Sequence, residues 1–277
     1  MWARVSVWLL VAACYSPKPV PGTPCTPAIA NCPGDQFCAL VDGDYYCVEE
    51  LPTDARPIDE VPNDGAIDAP PPDGAIANWT LVRTSGAMGN DTTSAATAAG
   101  STIIVGIETD DTDAVDTLTD NANNTYVRVL GSRATTADED LGIELWYAKN
   151  SLAGATRITA TGDTIFAVVM WEVAGLHPTV PLGTVARLQE QNATQSPSGA
   201  PITTATPGEF VVSIAIVGNA VSGLETGSAF TNDHFTFGNG WAHLTSATAP
   251  SSTYTARWDQ PSAAAYCATT ASFRRAP

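Results

Sequence analysis

STIIVGIET, residues 101–109, sets three isoleucines and a valine in a run of nine. Residues branched at Cβ favour extended backbone, where the branch packs on a pleated surface. Similar runs recur along the chain: TYVRVLG at 125–131, LGIELWYA at 141–148, TRITAT at 156–161, FAVVMWEV at 166–173, EFVVSIAIVG at 209–218, STYTARWD at 252–259 and YCATTASFR at 266–274. Clusters of Gly, Asn, Asp and Ser separate them. No stretch holds a helical period with caps. Short β-rich runs punctuated in this way predict an all-β, antiparallel sandwich, and residues 76–277 are long enough for one core. In such a sandwich Ile143, Leu145 and Tyr147 share one face of their strand, and Glu144 and Trp146 share the other.

Working outward toward the amino terminus, the composition changes. LPTDARPIDEVPNDGAIDAPPPDGA at 51–75 is dominated by Pro and Asp and has no aromatic residue. Proline biases it toward polyproline II and like charges stretch it, so 48–75 reads as a disordered linker. Before it, Cys25, Cys32, Cys38 and Cys47 crowd into 25–47, with six, five and eight residues between successive cysteines. Those gaps are unlike the close pairs of a zinc clamp. In an exported chain they predict two disulfides, with three pairings open. Cys267 is left over in a strand-like run and reads as a buried, inert thiol.

The first residues have the layout of an export signal: Arg4, then the apolar Val5–Val11, then Ala12 and Ala13. The run is too short to span a bilayer. VAAC at 11–14 resembles the lipobox of bacterial lipoproteins, in which the cysteine thiol takes a diacylglycerol before cleavage. The resemblance implies a signal peptide over 1–13, lipidation at Cys14, a tether over 14–24 and an address in the bacterial cell envelope. Tyr15, rather than Asp, implies the outer membrane. A Cys-rich base after the anchor is similar to that of myxobacterial-type lipoproteins. Beyond it, STIIVGIET, LTDNANNTY, LWYAKN, MWEVAGL and ASFR follow the order of a jelly-roll-like β-sandwich module of bacterial surface proteins. That resemblance implies fold and setting but no activity. The turn reads Asn123–Asn124 where the module has Gly-Asn; Asn tolerates left-handed backbone, so the turn is expected to survive.

The formal net charge is −17. Such a balance repels phosphate backbones, so nucleic acid is not an expected partner. The run ETDDTDAVDTLTDN places Glu108, Asp110, Asp111, Asp113, Asp116 and Asp120 close together. Calcium takes six to eight hard oxygens, so Asp110, Asp111, Asp113 and Asp116 are the candidate ligands, weighed against a simply solvated loop. No other cofactor is expected. Glu144 and Glu172, each beside a tryptophan, are the candidate carboxylate pair of a glycosidase, although the E-x-D-x-E motif of sandwich-fold glucanases is missing. His234 and His243 flank a glycine-rich segment without a common zinc spacing. No GxSxG, Walker, GxGxxG or HExxH motif occurs. Trp241, in GNGWAHL, and Trp146 are the candidate ligand-stacking residues, because exposed aromatics stack sugar rings; the competing role for both is core packing. The expectation is an anchored, non-catalytic binding or adhesion head for a glycan or an envelope protein. A structural envelope component and a carbohydrate-active hydrolase are the alternatives.

Overall fold

The computed structural model describes residues 79–136, 140–233, 238–244 and 249–277, together with the backbone of 37–41 and 44–48. The chain divides into two compact units, Met1–Gly65 and Ala66–Pro277. In the first, β1 (Phe37–Val41) and β2 (Asp44–Val48) form an antiparallel hairpin whose register sets Cys38 opposite Cys47. The signal peptide, Cys14, the tether, Cys25, Cys32 and the linker lie outside the described residues, as do the side chains of Cys38 and Cys47.

The second unit is an antiparallel β-sandwich, and no helix occurs among its described residues. Its first half contains β3 (Thr80–Met88), β4 (Asp91–Thr93), β5 (Thr102–Thr109), β6 (Thr117–Asp120), β7 (Val127–Arg128), β8 (Ala134–Thr136), β9 (Leu141–Ala148), β10 (Arg157–Thr161) and β11 (Ile165–Ala174). Its second half contains β12 (Leu182–Thr194), β13 (Ile202–Thr203), β14 (Phe210–Val217), β15 (Gly223–Leu224), β16 (Phe230–Asn232), β17 (Gly240–Leu244), β18 (Thr253–Tyr254), β19 (Trp258–Asp259) and β20 (Ala264–Phe273). One large sheet runs β3-β11-β5-β9-β7, with β8 also paired to β9; the other runs β12-β20-β14-β17-β16. Each large sheet is thus drawn from one half of the chain.

The inner faces meet in one core. Ile104, Ile143, Leu145, Val169 and Trp171 from the first sheet pack with Phe210, Val212, Ile214, Trp241 and Phe273 from the second. Gly106 permits the closest approach: a Cβ there would lie 2.7 Å from both Ile214 Cδ1 and Trp241 Cζ3. Trp171 and Trp241 meet across this gap at 6.3 Å between ring centroids.

The outer faces depart from the simple inside–outside alternation. Ile103, Val105, Ile107, Trp146, Val168 and Met170 form a second core with Val115, Leu118, Ile158 and Ala160, beneath the small sheet β4-β10-β6. Val211, Ala215, Val217, Ala242 and Leu244 form a third with Ile202, Ala256 and Trp258. The central strands are therefore buried on both faces. This is why β5 and β14 read as continuous apolar runs rather than as alternating ones.

Differences from the sequence reading follow the same logic. Of the run 125–131 only the two residues of β7 are strand, and 252–259 splits into the two-residue β18 and β19. The 13-residue β12 has no apolar run because it is an edge strand, and every residue after Leu182 is partly or fully exposed. The Asn123 turn does form, with Asn123 at φ +62°. Asp120 organises it: its Oδ1 accepts the N–H groups of Ala122 and Asn124, and its Oδ2 accepts Asn124 Nδ2 and the Tyr126 hydroxyl. Burial, and then the Asp120 charge, push the Tyr126 phenol far above its ordinary range, so it remains a donor.

Candidate functional site

Trp241 is fully buried in the central core, and Trp146 is 8% exposed. The reading of Trp241 and Trp146 as ligand-stacking residues is therefore corrected. A sandwich with covered outer faces has no open sheet on which a ring of theirs could stack a sugar. Trp146 lies beneath the Arg128 guanidinium, 5.0 Å from the ring centroid, and donates its Nε1–H to Glu144 Oε2 at 3.2 Å.

Glu144 and Glu172 do not converge either. Glu172 stands opposite Ile103 on β5, and Glu144 opposite Ile107. Two strand spacings sideways and four residues along place their Cα atoms about 16 Å apart, beyond either glycosidase spacing. Each carboxylate is also paired with arginine within the fold. Glu172 pairs with Arg83 Nε at 2.7 Å and accepts the Ala98 N–H at 2.6 Å. Glu144 pairs with Arg133 at 2.7 Å and Arg128 at 3.0 Å, and accepts the Val115 N–H at 3.1 Å.

This network explains the acidic loop. Arg128 donates to the Val115 carbonyl and Arg133 to that of Asp113 at 2.9 Å. The loop is held by its backbone carbonyls, and Asp110, Asp113 and Asp116 face solvent. Asp111 Oδ1 accepts the Asp113 N–H at 2.8 Å. Among the described residues no three His, Cys, Asp or Glu side chains come together to hold a metal ion. Asp110, Asp111, Asp113 and Asp116 are thus adjacent in sequence without forming a calcium cage. His234 lies outside the described residues. His243 Nδ1 meets Asp233 Oδ1 at 2.8 Å, and Asp233 Oδ2 accepts Trp171 Nε1–H at 2.8 Å, a contact that ties the two sheets together. Cys267 is fully buried, and burial pushes its thiol up to about 12, consistent with an unreactive core residue.

Glu108 belongs to the same acidic run but behaves differently. It ends β5 on the inner face and is 2% exposed. Its Oε1 accepts Asn239 Nδ2 at 2.7 Å; its buried Oε2 has no hydrogen-bond partner. Asn239 is fixed in that orientation because its own Oδ1 accepts the Val217 N–H at 2.9 Å. Burial is the main cause that pushes the Glu108 carboxyl up to about 8; the Asn239 bond works against this, and the negative charge of Asp110 adds to it. At neutral pH this glutamate mostly holds its proton.

Glu108 lines a cleft of about 310 Å³ at one end of the sandwich, with Asp110, Leu141, Phe166, Asn219 and Asn239 among its walls. Every charged side chain on the walls, among the described residues, is acidic. The sequence places Glu108 and Asp110 in one run, but Asn219 and Asn239 come from the other half of the chain. No local pattern links them. Other buried side-chain atoms of the described residues, Trp79 Nε1, Trp258 Nε1 and Thr136 Oγ1 among them, also have no hydrogen-bond partner, but Glu108 is the residue of this kind on the wall of the cleft. Compared with known proteins, the chain matches no family model, no curated protein and no solved structure.

Proposed function

We propose that this chain is a lipid-anchored protein of the bacterial cell envelope whose β-sandwich is a non-catalytic binding head, with the Glu108 cleft as its binding site. The anchor reading rests on the VAAC motif at 11–14 and the apolar run before it. The observation that carries the binding reading is Glu108, which lines a cleft and whose buried Oε2 has no hydrogen-bond partner among the described residues. The other buried glutamates with ion pairs, Glu144 and Glu172, already serve the fold. Two or three acyl chains at Cys14 would provide a firm anchor, because each buried CH₂ is worth about 0.8 kcal/mol.

Two measurements test this. Cys14→Ala should move the protein from the membrane fraction to the soluble fraction; equal membrane retention would remove the anchor. Immobilised full-length protein should retain a purified envelope glycan or outer-membrane protein, and Glu108→Gln should weaken that retention; a blank against all of them would remove the binding reading.

One observation favours a second reading. A neutral glutamic acid beside an exposed aspartate in one cleft is the chemical arrangement of a hydrolase acid and its partner. Turnover of aryl glycosides, lost in Glu108→Gln, would select hydrolysis over binding alone.

A further inference from the structure

We propose that the cleft takes a ligand bearing a protonated amine, seated against the Glu108 and Asp110 carboxylates with the Phe166 ring as one wall. This rests on the binding-head reading and adds the chemical class of the ligand. Four observations point to it. First, Glu108 Oε2 is buried and without a partner. Second, the Asn239 amide cannot turn to serve it, since Val217 holds its oxygen and Glu108 Oε1 takes its Nδ2–H. Among the described residues, no other group is placed to supply the missing partner. Third, Asp110 is a second acid on the same walls, and no described Lys, Arg or His joins them. An anion is repelled there. A neutral hydroxyl can pair with Glu108 in either protonation state but brings no charge to offset the Asp110 carboxylate. An ammonium brings three donors and a positive charge. Fourth, Phe166 lines the cleft, and an aromatic residue attracts a cation that comes within about 6 Å of its ring centroid.

The protonation state of Glu108 supplies a signature. The titratable groups coupled to it are Asp110, at the end of its own strand, and Cys267 of β20, whose thiol stays protonated; Arg133 in turn acts on Cys267. At neutral pH the carboxyl enters the reaction as COOH. Docking of R–NH₃⁺ favours the carboxylate, so the product is the R–NH₃⁺···⁻OOC pair and one proton passes to solvent.

Calorimetry on the full chain at pH 7, in two buffers of different ionisation enthalpy, tests this. The probes are glucosamine and putrescine, set against N-acetylglucosamine, glucose and calcium chloride. Glucosamine and putrescine should bind with release of up to about one proton, and the acetylated and neutral sugars should bind at least tenfold more weakly. Glu108→Gln keeps the shape of the neutral acid, so it should fold, lose at least tenfold in affinity and release no proton. Asp110→Asn, at an exposed position, should lose a few-fold. Equal binding of glucose or N-acetylglucosamine, binding of calcium in place of the amines, or unchanged amine affinity in Glu108→Gln would each overturn the amine assignment. If the amines fail while an envelope component is still retained through Glu108, the amine assignment alone falls. If both fail, the binding-head reading falls with it.

Discussion

Glu108 and Glu144 sit on adjacent strands, one residue apart in register, and face opposite sides of the same sheet. Glu144 faces the covered outer layer and has two arginines, a backbone N–H and an indole N–H around it. Glu108 faces inward at the sandwich end and has a single amide donor. Both are buried. Burial of a charge is costly unless it is paired and hydrogen-bonded. The first case satisfies that requirement with cations; the second avoids it by keeping the proton. A satisfied carboxylate organises a fold, here by tying the 110–116 loop to the sheet. A carboxyl left without a partner at the wall of a cleft keeps hydrogen-bonding capacity that the described fold does not use.

Breaking the Glu144 side of this contrast should have the largest effect. Glu144→Ala leaves Val115 N–H and Trp146 Nε1–H without acceptors and the two arginines facing each other. We expect a loss of about 3–5 kcal/mol in denaturant unfolding, with hydrogen exchange rising first in the 110–116 loop. A loss below about 1 kcal/mol would mean the network is incidental to stability.

The Glu108 side is sharpened by pH. The native carboxyl titrates near 8, against an ordinary value of 4.5. Between these values the native state holds a proton that the unfolded state has released. The contribution is therefore fully present below about pH 4.5, declines as pH rises and is gone above about pH 8. The difference in unfolding free energy between wild type and Glu108→Gln should shift by a few kcal/mol across that window, at about 1.4 kcal/mol per pH unit at most. A difference independent of pH would mean that Glu108 is ionised in the native state.

The smallest effect is expected at the rim of the Glu144 network. Arg128 is 36% exposed, and Arg133, Val115 and Trp146 would still serve the carboxylate without it. Arg128→Gln should cost less than about 1 kcal/mol, combining a screened ion pair with a partly exposed cation–π contact. A cost matching that of Glu144→Ala would place the whole network on this one arginine.

Much of the fold was legible because its driving pattern is local. LGIELWYA at 141–148 coincides with β9, and the alternation that sets Ile143 and Leu145 in one core and Trp146 in another follows from strand geometry alone. The left-handed Asn123 was legible for the same reason. The edge strand β12 and the loss of most of the run 125–131 were not, since an edge strand carries little apolar signal and pairing depends on distant partners. At the site, tryptophan and glutamate identities were read correctly as noteworthy, but their roles were not. Trp241 looks exposed in GNGWAHL because glycines surround it, yet it packs against a glycine of the other sheet: an added Cβ at Gly106 would lie 2.7 Å from its ring, while Gly240 beside it makes room for Trp258.

The sequence by itself determined a β-rich head behind a Cys-rich segment and an acidic proline-rich stretch, because strand propensity, alternation and turn chemistry act over a few residues. Only the tertiary structure decided which carboxylates are bound into the fold and which is left unsatisfied. The reason is physical: a carboxyl's state depends on its depth and on the donors around it. Those donors come from Arg128 and Arg133 for Glu144, and from Asn239, more than a hundred residues away, for Glu108.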